Sequence, residues 1–164
     1  MAEEGAAALV DALPRIVDDG TDVQARSRAL YGAWLCGTVL GATTMSLHHK
    51  LCHVLGGSFD LPHAEVHTVV LPHVLAYNAA ASPAAASAMS RALDTDDAAG
   101  ALWELTRRLG GPRSLAEIGM DEHDLLDVVR QVMAAPYANP RTTTSREVTE
   151  LLTRAQHGVR PSSR

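Results

Sequence analysis

Six of the eight histidines lie between positions 48 and 73, and imidazole suits both acid–base and metal chemistry near neutral pH. His49 and His53 are four residues apart, and His63 and His67 repeat that spacing after a Gly-Gly pair. A spacing of four places two side chains on one face of a helix, so two antiparallel neighbouring helices would bring both pairs together. The pattern predicts a histidine-lined site formed by His48, His49, His53, His63, His67 and His73.

The residues alone leave the chemistry of this cluster open. Two H-x-x-x-H segments can supply ligands for a divalent metal, with Asp60 and Glu65 as candidate carboxylate ligands. In zinc proteases a glutamate directly follows the first histidine, and neither segment here has one. The alternative is that the histidines cap helices, bind backbone groups or lie at the surface. Cys52 lies within the cluster, but Cys36 and Cys52 both sit in apolar segments, which predicts buried, reduced thiols.

Helices must position this cluster, because Ala, Leu and Val dominate the 46% hydrophobic content while aromatic residues make up only 4%. Periodicity and capping signals predict longer helices over 6–18 (bent or broken at Pro14), 22–40, 44–55 (ended by Gly56 and Gly57) and 63–78 (opened by Pro62 and interrupted or kinked at Pro72). Shorter helices are predicted over 94–109, 114–118, 121–135 and 145–156. We expect an all-α, antiparallel multi-helix fold, with one domain over 1–158 and a disordered tail over 159–164.

The second predicted helix carries two packing signals. Leu30, Trp34 and Leu35 share one face at helical spacing, opposite the charged side chains of that helix. Gly37 and Gly41 lie four residues apart, which predicts a close crossing with another helix.

Composition excludes several classes of partner. The formal net charge is -5 and the basic residues form no cluster, which argues against nucleic acid and anionic membranes. The first residues carry acids where a secretory signal would carry basic residues, and no apolar run reaches the roughly 20 residues that span a bilayer. We therefore expect a cytoplasmic protein with a small-molecule substrate.

The segment from His48 to Asn78 resembles the core of the maleylacetate reductases, within the iron-containing alcohol dehydrogenase superfamily. The resemblance rests on HHKLCH at 48–53, the GG pair, LPHAE at 61–65 and LPHVLAYN at 71–78, with further likeness in ARSRALYGAWLCG at 25–37 and NPR at 139–141. It implies the helical C-terminal domain of the dehydroquinate synthase-like and iron-containing alcohol dehydrogenase proteins. The nucleotide-binding domain that comes first in those proteins has no counterpart in this sequence.

The resemblance also implies roles for particular histidines. His49 and His63 match two metal-ligand histidines of the metal-dependent members, and His53 matches the histidine beside the nicotinamide and substrate. The expected site residues are His53, His49 and His63 for catalysis, and His48, His67 and Tyr31 for substrate binding. The family's other Asp and His ligands and its glycine-rich pyrophosphate turn have no match in this sequence.

The expected cofactors follow from the same resemblance. Maleylacetate reductases are regarded as independent of metal, so we expect no resident cofactor. The alternative is a divalent metal on His49 and His63. NAD(P)H is expected only through a partner chain.

Because the hydride source is missing, we expect a stand-alone non-redox enzyme, acting by acid–base chemistry on a carbonyl or enol substrate in a biosynthetic pathway. Cyclisation, dehydration and isomerisation all fit, so the expected class is a lyase, isomerase or cyclase. One alternative is the substrate-domain subunit of a split NAD(P)H-dependent maleylacetate reductase, and another is a ligand-binding protein without catalysis. A homo-oligomer or a nucleotide-binding partner chain is expected, because the face toward the absent domain should be apolar.

Overall fold

A computed structural model describes residues 1–135 and 137–162. Within these ranges the chain contains helices and loops and no strand, which confirms the all-α prediction. The α-helices are α1 (Ala2–Asp18), α2 (Val23–Gly41), α3 (Leu47–Ser58), α4 (His63–Asn78), α5 (Pro83–Leu93), α6 (Ala98–Arg108), α7 (Leu125–Met133) and α8 (Ser145–Gln156). Short 3-10 helices cover Ala79–Ala81, Ala116–Ile118 and Glu122–Asp124.

The hydrophobic core lies between α3, α4, α7 and α8. Leu51 and Leu55 of α3, Val66 and Val70 of α4, and Leu152 of α8 are all completely buried in it. Helix α4 is central, because it contacts α3, α6 and α8. Helices α1 and α2 pack on each other, and α1 reaches the rest of the fold through α5.

Side-chain caps begin several of the helices where the sequence indicates. Asp22 accepts a hydrogen bond from the backbone of Ala25 at the start of α2, and Asp97 accepts one from Gly100 in α6. Helix α8 begins with a capping box, in which Thr144 and Glu147 each accept a hydrogen bond from the other's backbone. These caps satisfy N–H groups that have no partner inside the helix.

Two predicted helix interruptions are absent. Helix α1 continues through Pro14, because Ala8 and Ala12 are fully buried against α2 and that packing offsets the hydrogen bond that proline removes. Helix α3 continues through Gly56 and Gly57 to Ser58, with buried Leu55 holding this turn against the core. The chain leaves α3 at Asp60, whose φ of 53° lies in the left-handed region.

Helix α2 exposes most of its predicted apolar face. Leu35 is buried, but Leu30 and Trp34 are 72% and 62% exposed. Its close crossing is with α1 at Gly32 and Gly5, not at Gly37 and Gly41, around which a methyl group would meet nothing within 4 Å. Despite this apolar surface, no helix in the described part of the chain has the length and apolarity to cross a membrane.

The predicted disordered tail is ordered as far as the structure describes it. Val159 donates a backbone hydrogen bond to Arg154, and Arg160 forms ion pairs with Asp97 and Glu104. Pro161 is fully buried. Sequence composition missed this docking because the anchoring carboxylates come from a helix far away in the chain. Positions 163–164 of the predicted tail lie outside the described residues.

Candidate histidine site

Helices α3 and α4 bring five of the six clustered histidines together. The ring of His48 contacts that of His67, with 4.8 Å between centroids, and the ring of His53 stacks on that of His63 at 6.5 Å. His48, at the start of α3, thus lies beside His67, which comes later in α4. His53, later in α3, lies beside His63 at the start of α4. This register is that of antiparallel neighbours, as the short connection between the helices favours.

Three of these imidazoles form an inner group, defined here as His48, His49 and His67. Their ring centroids lie between 4.8 and 5.3 Å apart, in edge-to-face contacts. One ring nitrogen of each lies within 4.8 Å of the others. All three side chains are half-buried, so the group is partly shielded from solvent.

Burial favours the neutral form of the inner group. Desolvation, followed by the neighbouring imidazole of His67, lowers the pKa of His48 to about 4. The pKa values of His49 and His67 are also lowered, chiefly by burial and then by adjacent histidines. A neutral imidazole has one N–H donor and one free lone pair, so each ring can accept a proton, hydrogen-bond to a substrate or bind a metal.

The donor set of the inner group fits a divalent metal. Nε2 of His67 is buried and has no hydrogen-bond partner, which costs free energy unless a ligand satisfies it. Three imidazole nitrogens are a common ligand set for zinc and for other first-row divalent ions. Asp60 and Glu65, the candidate carboxylate ligands, lie outside this group, as does His63.

His53 and His63 form the outer edge of the site. Both side chains are exposed, whereas the inner group is half-buried. His63 contacts the inner group through His67, with 4.4 Å between ring centroids, and His53 contacts it through His49 at 6.3 Å. The outer imidazoles therefore face the solvent, where a substrate can reach them. The inner group is shielded and can hold a metal ion or an anion.

Two candidate residues lie away from this site. His73 is buried on the other part of α4, beside a cavity of about 240 Å³ that Tyr77 and Arg154 also line. Its Nε2 has no partner, and burial lowers its pKa to about 4. Tyr31 lies on exposed α2, where its one ring contact in the described chain is with Trp34.

Both thiols are free, and Cys52 is buried in the core while Cys36 is only half-buried.

The structure gives the second half of the LPHVLAYN motif a structural role that sequence reasoning missed. The side-chain amides of Asn78 and Asn139 exchange two hydrogen bonds, of 2.9 and 3.0 Å. Arg141 lies over the ring of Tyr77 and forms an ion pair with Glu147 at the start of α8. AYN at 76–78 and NPR at 139–141 each carry an asparagine whose side-chain amide can both donate and accept a hydrogen bond. This matching pair of side chains was the signal that could have linked the two motifs.

Comparison with known proteins shows the family of this chain. The family described as Fe-containing alcohol dehydrogenase family, C-terminal, matches residues 1–156. The maleylacetate reductase of Pseudomonas sp. (strain P51) is 53% identical over 161 residues, which cover 98% of this chain and 46% of that protein. That of Sphingobium indicum is 50% identical with the same coverage. The chain thus spans about half the length of the curated relatives it matches.

Solved structures agree in fold. The maleylacetate reductase from Rhizobium sp. strain MTP-10005 superposes with a TM-score of 0.93 at 46% identity, over 97% of this chain and 45% of that chain. The maleylacetate reductase from Agrobacterium tumefaciens also gives 0.93, at 47% identity and with the same coverage. These values confirm the predicted helical C-terminal domain.

These comparisons correct the predicted function. The expectation of a non-redox lyase, isomerase or cyclase in a biosynthetic pathway is wrong, because the relatives that match nearly the whole chain at about half identity are reductases. The error came from treating the missing hydride source as a change of chemistry. The chain belongs to the Fe-containing alcohol dehydrogenase family, of which it represents the C-terminal part.

Proposed function

We propose that this chain supplies the substrate-binding half of an NAD(P)H-dependent maleylacetate reductase. A second, nucleotide-binding half completes the enzyme. The observation that carries the proposal is the combination of an assembled five-histidine site with 53% identity to a maleylacetate reductase over 98% of this chain. The observations therefore favour the substrate-domain subunit of a split reductase, which the sequence analysis gave as an alternative, over the stand-alone non-redox enzyme.

The histidines have distinct tasks in this proposal. The substrate carries carboxylates, which accept hydrogen bonds from imidazole N–H groups. His63 and the half-buried His48, His49 and His67 bind and orient these groups. His53, exposed at the outer edge, is the residue we assign to proton transfer to the reduced substrate. When bound at His48, His49 and His67, a divalent metal would supply Lewis-acid polarisation of a substrate oxygen.

The chain by itself does not fit a dinucleotide. Its sequence contains no G-x-G-x-x-G turn, and no strand precedes a helix in the described residues, so the usual pyrophosphate cradle is not formed here. We therefore assign nicotinamide binding to the second half and derive no step of the reaction through it.

The exposed face of α2 supports a large partner. Val23, Leu30 and Trp34 are 73%, 72% and 62% exposed, on one helix of a chain that covers only 46% of its relatives. A cluster of exposed large apolar side chains is unusual on the surface of a monomeric soluble protein and is typical of a protein–protein interface. We propose that the nucleotide-binding half covers this face, and we leave a second copy of this chain as an outcome of the test.

The cytoplasm is the compartment we propose. Both cysteines are free thiols, and burial raises the pKa of Cys52 to about 12, which keeps that thiol protonated and unreactive. Free cysteines of this kind suit a reducing compartment.

Gentle purification from the source cells tests the proposal. We expect native mass spectrometry to show this chain bound to a nucleotide-binding polypeptide or domain, and the preparation to oxidise NAD(P)H only when maleylacetate is added. His53→Gln should abolish this oxidation, whereas His123→Gln, an exposed histidine outside the cluster, should leave it unchanged. A homo-oligomer that binds no nucleotide and leaves maleylacetate unreduced would refute the proposal.

A further inference from the structure

We propose that the cavity between α4 and α8 is a second binding site, which takes a small organic monocarboxylate. This is the cavity of about 240 Å³ that His73 lines, together with Arg154 of α8 and Pro161 of the docked C-terminal segment. None of the five histidines assembled between α3 and α4 belongs to its lining. The inference goes beyond the reductase proposal, because it concerns a further ligand of this chain.

Arg154 gives the cavity a cation without a counterion. In the described part of the chain it donates a hydrogen bond of 3.0 Å to the backbone carbonyl of Arg160 and forms no ion pair with a carboxylate. The guanidinium carries more N–H donors than this one bond uses. A carboxylate matches the planar fork of a guanidinium, because its two oxygens accept two parallel hydrogen bonds. Arg154 is therefore suited to hold a carboxylate in the cavity.

The other charged side chains of the lining already have partners. Arg141 forms an ion pair with Glu147, and Glu150 forms one with Arg146 at 3.3 Å. The charge of Arg154 is thus the one that a ligand can neutralise, which fits a monoanion. The second charge of a phosphate dianion would be repelled by the carboxylates of Glu147 and Glu150.

His73 supplies a neutral polar group at the buried side of the cavity. Its side chain is 4% exposed, and its Nε2 has no hydrogen-bond partner. Burial, followed by the charge of Arg154, lowers its pKa to about 4, so the imidazole is neutral at pH 7 and lies near that guanidinium. A neutral imidazole donates one hydrogen bond. A ligand oxygen beside Arg154 can therefore satisfy a polar atom that the protein leaves unpaired.

The remainder of the lining sets the size and polarity of the ligand. Apart from Ser162, it consists of apolar and aromatic side chains, those of Ala76, Tyr77, Leu151 and Pro161. Sites for drug-sized ligands have volumes of about 300–1,000 Å³, so this smaller cavity suits a smaller molecule. The lining favours a carboxylate with a short apolar body over a peptide or a nucleotide.

Titration of the full chain with sodium butyrate at constant ionic strength, followed by NMR of the arginine and histidine side chains, tests the site. Sodium phosphate and butylammonium chloride are the probes matched for charge and for size. We expect the resonances of Arg154 and His73 to shift and saturate together with butyrate. Butylammonium should cause no saturable shift, and phosphate should bind at least about tenfold more weakly. Shifts of His48 and His67 report separately on the α3–α4 site.

Two substitutions should move the affinity in opposite directions. Arg154→Gln removes the cation and should weaken butyrate binding by about tenfold or more, since a charge-assisted hydrogen bond is lost. Glu150→Gln removes a negative charge from the lining and releases Arg146, so it should tighten binding by about two- to fivefold. Arg130→Gln is the control, because it removes an exposed cation of α7 that does not line the cavity. It should change the affinity by less than about twofold.

Three results would overturn the proposal: no saturable butyrate shift at His73 or Arg154, phosphate or butylammonium binding as tight as that of butyrate, or equal weakening by Arg154→Gln and Arg130→Gln. Circular dichroism checks that each variant folds. Arg154→Gln also loses the hydrogen bond to Arg160. If it unfolds, Glu150→Gln decides the question, because unchanged or weaker binding by that variant would refute the site. The titrations contain neither maleylacetate nor nicotinamide, so their failure would leave the reductase proposal standing.

Discussion

Replacing Gly32 with alanine should separate the first two helices. Gly32 lies where α2 crosses α1, and a Cβ added there would be 2.8 Å from the carbonyl oxygen of Gly5, 3.0 Å from Cγ of Leu9 and 3.1 Å from Cβ of Ala8. The oxygen belongs to the backbone of a helix, so it cannot rotate away as a flexible side chain could. Relief requires α1 and α2 to move apart by several tenths of an ångström.

The magnitude follows from two opposing effects. Overpacking of a close contact costs about 1–3 kcal/mol, and alanine recovers about 0.5–1 kcal/mol of helix propensity relative to glycine. The midpoints of these two ranges leave a net loss in the free energy of unfolding of about 1 kcal/mol, which lowers the Tm by about 2–4 °C in a protein of this size. Gly37→Ala is the control on the same helix. A Cβ at Gly37 meets nothing within 4 Å, so this variant should gain about 0.5–1 kcal/mol.

Thermal and urea unfolding, followed by circular dichroism at constant protein concentration, measure both variants. If Gly32→Ala is as stable as the parent, or if the two substitutions change the Tm in the same direction, the reasoning from the helix crossing is wrong. Helical propensity alone predicts that both alanines stabilise. The opposite signs are therefore specific to the tertiary contact.

Two further predictions concern α4 and α8. Burial, followed by the charge of Arg154, lowers the pKa of His73 to about 4. Between pH 6.5 and 4 the unfolded chain therefore binds more protons than the folded chain, so the free energy of unfolding falls as the pH is lowered through that window. His73→Gln should recover about 1.5 kcal/mol of the loss between pH 6.5 and 5, measured by urea unfolding, and an unchanged pH dependence would contradict this. Thr144→Ala breaks the capping box with Glu147 and should cost about 1 kcal/mol. Thr149→Ala, whose exposed hydroxyl bonds only back to the preceding turn of α8, should stay within about 0.5 kcal/mol, and equal losses would argue against the cap.

Much of the site could be predicted from the sequence because its geometry is local. Spacings of four residues place His49 with His53, and His63 with His67, on single helix faces whatever the rest of the fold does. Pro62 marks the start of α4, and the short connection before it requires the two helices to be antiparallel neighbours. The family motifs lie in the same segment, so the amino-acid sequence alone indicates the family, the fold class and the histidine site.

The tertiary structure decided which of these residues act together. His73 has the right residue type and neighbourhood in sequence, but it projects toward α8 rather than α3, as its shared cavity with Arg154 shows. His48 joins the inner group because α4 places His67 against it, and no spacing within α3 could show that contact.

The sequence by itself therefore determined most of the helices, the family and the pairing of histidines along each helix, since periodicity and capping act over one or two turns; it did not predict α5. Only the tertiary structure decided that three imidazoles converge, that Gly32 rather than Gly37 makes the close crossing, and that Leu30 and Trp34 face outward. An apolar helix face must be buried, but its spacing cannot say whether this chain or another supplies the cover.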